Sequence, residues 1–200
     1  MLIVADDTDL TERQLTAGAL ACPGCEGELA PWGWARGRPL RALDRVRWVR
    51  PRRGCCRGCG ATHVLLPGAM LLRRADAVEV IGAALLAHAR GEGHRRIAAR
   101  LGRHRDTVRG WLRRFAARAA ITGTHALSCA DRLDHRSIWL DLTGRGTASG
   151  ARAALIALSH AVAAVERTFE RRAVCRWQVV SALCSGLLLA NTSRPYPRLP

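Results

Sequence analysis

The sequence predicts a mainly α-helical protein that begins with a small β-rich region. Two closely spaced cysteine pairs fall within the first 60 of its 200 residues, together with short strand-like runs. Apolar residues recur at spacings of three and four between residues 75 and 115 and again between residues 151 and 190, which is the periodicity of amphipathic helices. The predicted architecture is a small β module, a three-helix domain and a pair of C-terminal helices.

Two cysteine pairs have the spacing of metal-binding turns. Cys22 and Cys25 enclose Pro-Gly, and Cys56 and Cys59 enclose Arg-Gly, so each pair has a small residue where the backbone would curl around an ion. Four thiolates satisfy tetrahedral Zn²⁺ and leave no open position. The set therefore predicts a structural zinc ion in a zinc ribbon. Iron also accepts four thiolates, but the motifs that surround iron–sulfur clusters are missing here.

The remaining cysteines divide into one neighbour of this set and three isolated residues. Cys55 is adjacent to Cys56 and is either a spare thiol or its replacement, and His63 is a further candidate ligand. The isolated residues, predicted to be buried and apolar in character, are Cys129, Cys175 and Cys184. The spacer between the two pairs contains 30 residues, and strand-like residues within residues 40–49 predict a hairpin of the ribbon there.

Residues 94–115 predict a helix-turn-helix. Residues 75–90 predict the helix that precedes it, with Asp76 in its first turn. Gly102 lies between the two predicted helices of the motif, at the turn position where a positive φ favours glycine. Three helices of this length are typical of a trihelical DNA-binding domain. We interpret Asp106 as the residue that caps the second helix of the motif.

The charge of the same region predicts a nucleic-acid partner. Residues 36–118 hold 21 arginines and five acidic residues, a balance equal to the net +16 of the whole chain. In this motif the second helix enters the major groove of duplex DNA. The candidates for base contacts are Arg103, His104, Arg105, Thr107 and Arg109. The candidates for phosphate contacts are Arg95, Arg96, Arg100, Arg113 and Arg114.

The motif also resembles a known family. Ile-Ala-Ala-Arg-Leu-Gly followed by Thr-Val-Arg-Gly-Trp-Leu-Arg-Arg-Phe, within residues 93–115, resembles the homeodomain-like helix-turn-helix of insertion-element transposases and resolvases. The upstream Cys-Pro-Gly-Cys is similar to transposase-associated zinc ribbons. Over most of its length the chain resembles an actinobacterial helix-turn-helix family of this build, an impression to which residues 62–67 and 71–77 contribute. The resemblance implies binding at element ends or a promoter. His104 stands where such motifs usually have Ser.

The C-terminal third predicts two further helices. Residues 151–172 and 177–190 would form a packed helical hairpin, or the contact surface of a homodimer. Residues 191–200 contain three prolines and predict a loose tail. Asp141 is the sole acidic residue of this third in a strand-like context, and it has no evident carboxylate partners. The sequence therefore predicts no catalytic site.

These patterns divide the chain into four predicted segments: a zinc ribbon (1–67), a helix-turn-helix domain (68–120), a linker and helical hairpin (121–190) and a tail (191–200). Neither a secretory signal nor a membrane span is evident, so we expect a cytoplasmic protein. The expected function is that of a regulator or accessory protein of a mobile element, which binds duplex DNA without a small-molecule substrate. The alternatives are a transposase fragment without its catalytic domain, and an RNA-binding or adaptor zinc ribbon.

Overall fold

The computed structural model describes residues 1–134, 150–170, 172–191 and 196. Within these residues the first third of the chain holds every strand. The strands are β1 (Leu2–Val4), β2 (Leu29–Trp34), β3 (Arg38–Arg41), β4 (Val46–Val49), β5 (Arg52–Cys56) and β6 (Thr62–Pro67). The helices are α1 (Thr8–Thr16), α2 (Val78–Ala89), α3 (His94–Leu101), α4 (Arg105–Leu133), α5 (Gly150–Thr168) and α6 (Arg176–Leu183).

Four strands form one sheet in the order β1-β6-β5-β2. β6 and β5 pair antiparallel, as do β5 and β2, whereas β1 runs parallel to β6 with Leu2 opposite Leu65. α1 covers this sheet and begins at Asp7, whose carboxylate accepts hydrogen bonds from two backbone N–H groups of the first turn. Leu15 of α1 is buried with Leu29 and Leu65 in a small core between helix and sheet.

β3 and β4 form a separate antiparallel hairpin that attaches to the helical part of the chain. Residues 38–41 pair with residues 46–49, so a hairpin is present where one was predicted. Its assignment to the zinc ribbon is wrong, because it is separate from the sheet that carries the cysteines. The backbone N–H of Arg41 donates to the carbonyl of Ala75, and the N–H of Ala77 donates back to the carbonyl of Arg41. Leu40 of β3 is fully buried in the helical core. The hairpin is therefore fixed to the segment that leads into α2.

α2 lies at the centre of the helical part and is buried on several sides. It contacts α3, α4, α5 and α6, and its apolar residues leave only Leu86 substantially exposed. Gly82 is required where α6 crosses it, because a Cβ at that position would lie 2.0 Å from Cε2 of Trp177. Close packing from several directions explains why this helix is apolar almost all round and does not carry a single apolar stripe.

α4 extends far beyond the helix-turn-helix and packs along α5. The start of α5 lies near the middle of α4, where a Cβ at Gly150 would be 3.8 Å from Cβ of Ala119. At the other end, the Thr168 hydroxyl donates to the carbonyl of Leu133 over 3.0 Å. Because both contacts run in chain order, α4 and α5 are parallel. Their contact is the most extensive between any two described elements.

The predicted fold class is wrong. The sequence predicts a mainly α structure with a small β ribbon, a trihelical domain and a C-terminal helical hairpin. The described residues instead form a mixed fold of six strands and six helices. α5 and α6 pack chiefly on α4 and α2, so a hairpin of the last two helices is not formed. One continuous core joins residues from β3 to Tyr196, because the apolar faces of the C-terminal helices are buried against the helix-turn-helix region.

One residue of the predicted loose tail, Tyr196, is buried in the helical core. Tyr196, in the tail predicted to be loose, is 6% exposed, and its hydroxyl lies 2.9 Å from that of Thr122 on α4. Asp141 lies outside the described residues. Across the part of the chain that the structure describes, no helix is both long enough and apolar enough to cross a bilayer.

Candidate functional site

Four cysteine sulfurs meet at one end of the four-stranded sheet. Cys22 and Cys25 lie on the turn before β2, whereas Cys56 ends β5 and Cys59 lies on the turn before β6. The pairing of β2 with β5 places Leu29 opposite Cys56 and so brings the two turns together. The four sulfurs all lie within 4.8 Å of one another. The predicted cysteine set is therefore compatible with a metal site.

The geometry of this cluster fits a tetrahedral metal ion. The sulfurs of Cys22 and Cys59 are 3.8 Å apart, and those of Cys25 and Cys56 are 3.4 Å apart. A zinc–sulfur distance of about 2.3 Å requires tetrahedral sulfur–sulfur edges of about 3.8 Å. Gly27 allows the close approach, because a Cβ at that position would lie 3.1 Å from Sγ of Cys56.

Backbone amides prepare two of the sulfurs to carry negative charge. The N–H of Cys59 and then the thiol of Cys25 and the N–H of Gly58 lower the pKa of Cys56 to about 6, although burial opposes the shift. The N–H of Gly24, 3.4 Å from Sγ, is the largest cause of the lowered pKa of Cys22. Thiolates are the form that binds metal ions. The two turns therefore favour the ionisation state that a metal requires.

Proton sharing within the cluster has the opposite effect on Cys25. The N–H of Gly27 lowers its pKa, but hydrogen bonds with the side chains of Cys56 and Cys59 raise it to about 12. These hydrogen bonds thus favour the protonated thiol at Cys25 and the thiolate at Cys56. A bound divalent cation would remove this difference between the two thiols, because it would deprotonate all four cysteines that it coordinates.

The two alternative ligands lie beside the cluster. The Cys55 thiol donates to the carbonyl of Gly60 over 3.5 Å and is not among the four clustered sulfurs. Nε2 of His63 is 3.3 Å from Sγ of Cys22, which places this ring next to a sulfur of the cluster. His63 is therefore positioned as a neighbour that orients a ligand. Of the isolated cysteines, Cys129 and Cys184 are buried and Cys175 is half-buried.

α3 and α4 form a helix-turn-helix at the predicted position. Gly102 ends α3 with φ of 60°, the left-handed conformation expected at the turn. Ile97 and Ala98 of α3 are buried, as are four large apolar residues in the N-terminal part of α4. Those four residues are Val108, Trp111, Leu112 and Phe115. The opposite face of α4 near its N terminus is left to solvent.

α4 begins after His104, which is the N-cap. Nδ1 of His104 accepts a hydrogen bond from the N–H of Asp106 over 3.3 Å, so the interpretation of Asp106 as the cap is wrong. The acid instead lies in the first turn, where its negative charge interacts favourably with the helix dipole. An imidazole nitrogen thus performs the role that Ser usually has at this position.

The five candidates for base contacts fall into two groups. His104, Arg105 and Arg109 are exposed, and Thr107 is half-buried beside them. Neither Arg105 nor Arg109 forms an ion pair within the described residues, so both guanidinium groups face solvent without a carboxylate partner. Because these two residues are four apart on the helix, they share one face.

Arg103 differs from the other four. Its Nε donates to the carboxylate of Asp76 over 2.6 Å, and one terminal nitrogen donates to the carbonyl of Ala42 over 2.9 Å. Asp76 is 2% exposed and also accepts two hydrogen bonds from Arg41. The guanidinium of Arg103 thus joins the turn of the helix-turn-helix to the β3–β4 hairpin. The sequence gives no sign of this role, because Asp76 lies 27 residues away.

The five candidates for phosphate contacts also differ in their surroundings. Arg95, Arg96 and Arg113 are exposed and form no ion pair within the described residues. Arg100 is paired with Glu92 over 2.9 Å. Nε of Arg114 donates to the side chain of Asn191 over 2.9 Å. Three of the five guanidinium groups are therefore free to meet a phosphate without breaking an intramolecular contact.

Comparison with known proteins places the same region in a known class of domain. A family model described as winged helix-turn helix matches residues 82–125, which include most of α2, all of α3 and the first two thirds of α4. The match indicates DNA binding by this region. No curated protein and no solved structure matches the chain. The matched residues are helical in the structure, and the hairpin bonded to them comes from residues 38–49.

Proposed function

We propose that the protein recognises a specific sequence of duplex DNA through the N-terminal turns of α4. The observation that carries the proposal is the pair Arg105 and Arg109. Both are exposed and have no carboxylate partner among the described residues, and the opposite face of their helix is buried. A recognition helix needs this combination, because its inner face must hold the motif together while its outer face enters the groove.

The proposed chemistry of recognition is hydrogen bonding to base edges. An arginine guanidinium can donate two parallel hydrogen bonds to O6 and N7 of guanine, and such a contact discriminates against other bases by about 1 to 3 kcal/mol. Arg105 and Arg109 are the residues proposed to make these contacts, with His104 and Thr107 beside them. Arg95, Arg96 and Arg113 are proposed to bind phosphates and to set the orientation of the helix.

We assign the cysteine cluster a structural zinc ion and no catalytic role. Four cysteines would close the coordination sphere, so no position remains for water or a substrate. Two acids of the C-terminal part also have structural partners: Asp134 is paired with Arg167 over 2.7 Å, and Glu166 with Arg176 over 3.4 Å. These contacts support a protein that binds DNA and does not catalyse a reaction.

The proposed biological role is that of a regulator or accessory protein of a mobile element. The zinc-bearing β region beside a helix-turn-helix supports this role through the resemblance described above. A homodimer would place two recognition helices on half-sites about one helical turn apart. Phe169 and Val174, after the end of α5, are 65% and 107% exposed and are the residues proposed to meet in such a dimer.

The test is selection from randomised duplex DNA by the zinc-loaded protein, followed by fluorescence anisotropy at fixed salt. The wild type should enrich a defined motif, and Arg105→Ala and Arg109→Ala should lose definition at single base pairs and bind about 5- to 150-fold more weakly. Arg13→Ala is the matched control, because it removes one exposed arginine from α1. A paired motif would support the dimer.

Binding without sequence preference would contradict the proposal. In that case Arg105→Ala, Arg109→Ala and Arg13→Ala would weaken binding similarly and would change only the slope of affinity against salt concentration. The helix-turn-helix would then act as a nonspecific polyanion-binding surface.

A further inference from the structure

Three tryptophans are exposed on the β region, outside the helix-turn-helix. Trp32 and Trp34 of β2 are 58% and 41% exposed, and Trp48 of β4 is 73% exposed. By contrast, Trp111 is buried and Trp177 is half-buried in the helical core. Tryptophan has a large apolar ring that usually contributes to a core or an interface. Three of the five tryptophans that the structure describes are therefore available for a contact with another molecule.

The orientation of two of these rings is set by neighbouring groups. The Arg52 guanidinium lies 4.7 Å from the Trp34 ring, and the Arg50 guanidinium lies 5.9 Å from it. Arg52 is itself held by two hydrogen bonds to Glu12 of 2.6 and 2.9 Å. Trp48 lies against the backbone at Gly37, where a Cβ would be 2.6 Å from the indole nitrogen. Rings held in this way lose little entropy when a ligand packs on them.

The segment that carries these rings is rich in arginine. Residues 32–53 contain eight arginines and a single acid, Asp44, and acids from elsewhere in the chain pair with three of the eight arginines. Among the arginines, Arg36, Arg45 and Arg50 are exposed and form no ion pair within the described residues. The centre of a protein–protein interface is usually depleted of charge, whereas a surface that combines arginine with aromatic rings matches a polyanion that also carries flat apolar groups.

We propose that Trp32, Trp34 and Trp48 form one surface with the adjacent arginines, and that this surface binds unpaired bases of single-stranded nucleic acid. Arg50 supports this grouping, because it lies beside the Trp34 ring and follows Trp48 by two residues in the chain. The indole rings would stack on bases while the guanidinium groups meet phosphates. Duplex DNA does not offer this contact, because the faces of its bases are already stacked on one another. The inference goes beyond the proposed function, since it uses other residues and another form of nucleic acid.

The position of the surface gives it a fixed relation to the recognition helix. The β3–β4 hairpin carries Trp48 and is tied to the turn before α4, because Asp76 accepts hydrogen bonds from both Arg41 and Arg103. The carbonyl of Ala42, at the end of β3, accepts a further hydrogen bond from Arg103. A DNA molecule in which unpaired bases adjoin a duplex would place the unpaired bases on the tryptophan surface and the duplex on the recognition helix.

The test compares two single strands of equal charge. Anisotropy is measured at fixed salt with labelled oligo(dT) of about 12 nucleotides, a length within the site sizes of single-strand binders, and with an abasic strand of the same length. The wild type should bind oligo(dT) at least tenfold more tightly than the abasic strand. Trp48→Ala and Trp32→Ala should each weaken oligo(dT) binding by about tenfold, and Trp48→Phe should restore most of it.

Two control variants separate this proposal from the duplex-binding one. Leu127→Ala removes an exposed apolar side chain from α4, away from the tryptophans, and should leave oligo(dT) binding unchanged. Arg105→Ala should weaken binding to the selected duplex and leave oligo(dT) binding unchanged. Failure of the duplex proposal would therefore appear as duplex binding without sequence preference by the wild type, whereas failure of this proposal would appear as unchanged oligo(dT) binding in the tryptophan variants.

Either of two results would overturn the inference. Equal affinity for oligo(dT) and the abasic strand would mean that the surface meets only phosphates. Sedimentation that changes from dimer to monomer in Trp48→Ala, with oligo(dT) binding intact, would make the surface an interface between two copies of the chain. Oligo(U) binding with the same dependence on Trp48 would support the proposal and extend it to RNA.

Discussion

The β region before α2 and the helical region that begins there bury their apolar residues on very different scales. The core between α1 and the four-stranded sheet has six buried residues, and two of these are the cysteines Cys22 and Cys56. The helical core runs from α2 to Tyr196 and also takes in Leu40 and Leu66 from the β region. A core as small as that of the β region supplies little stability unless a metal ion or a disulfide also holds the fold together. From this comparison we expect the β region to depend on a metal ion at the cysteine cluster, and the helical region to depend on packing.

The largest effect should follow from removal of the metal ion. A chelator, or Cys56→Ser, should unfold the four-stranded sheet, because structural zinc sites contribute about 10 to 16 kcal/mol of apparent binding free energy in zinc-finger peptides. Most of the helical circular dichroism at 222 nm should remain, whereas the tryptophan fluorescence of the whole chain should change, because Trp32 and Trp34 lie on β2 of that sheet. Metal analysis should give one ion per wild-type chain and none in Cys56→Ser.

Cys55→Ser is the matched control for this experiment. It changes the adjacent cysteine, whose thiol lies outside the four-sulfur cluster, so the metal content and both spectra should stay close to those of the wild type. If the helices unfold together with the sheet when the metal is removed, then the two regions form one cooperative unit and the distinction between them is wrong.

The local motifs of both regions could be predicted from the sequence because their signals are short. A CxxC turn places two sulfurs within one turn of chain, and the Gly102 turn requires only a glycine between two periodic helices. The pairing of β2 with β5 is still needed to bring the two cysteine turns together into one cluster.

The rest of the fold depends on long-range pairing that leaves no local pattern. β1 pairs in parallel with β6, so Leu2 lies opposite Leu65 although 62 residues separate them. α4 continues to Leu133 because its alanine-rich middle contains no proline and packs along α5. The sequence showed the apolar periodicity of α5 but could not show that its partner was α4. The predicted helical hairpin of the last two helices is wrong for that reason.

A second effect, smaller than metal loss, should appear at the contact between the two regions. Asp76→Ala removes a buried carboxylate that bridges Arg41 and Arg103, and loss of one partner from a buried ion pair typically costs about 3 to 5 kcal/mol. The midpoint of urea unfolding, followed by far-ultraviolet circular dichroism, should fall accordingly. Asp44→Ala, which removes an exposed acid from the hairpin turn, should leave the midpoint nearly unchanged.

The Asp76→Ala variant also tests whether Arg103 contacts a DNA base, as the sequence predicts, or has a structural role. Its position before the recognition helix indicated exposure, but its side chain is 14% exposed and bonded to Asp76. If Asp76→Ala retains wild-type stability while it changes the sequence preference for DNA, then Arg103 acts at the DNA and the structural role assigned to it is wrong. Reduced stability with an unchanged preference is the expected outcome.

The smallest effect should come from a surface ion pair of the β region. The hydrogen bond from Arg52 lowers the pKa of Glu12 below its ordinary 4.5, so the pair stabilises the fold fully above that pH and its contribution is lost as pH falls through the lowered pKa. Because Glu12 is 42% exposed, the contribution is at most about 1 kcal/mol. Glu12→Gln should therefore be slightly less stable than the wild type at pH 7, with a difference that shrinks below pH 4.5.

Glu28→Gln, with its partner at 3.6 Å, should show a smaller difference. Thiol protonation releases metal from every variant at low pH, so only the difference from wild type reports on the pair, and a difference that grows on acidification would reverse the assigned sign.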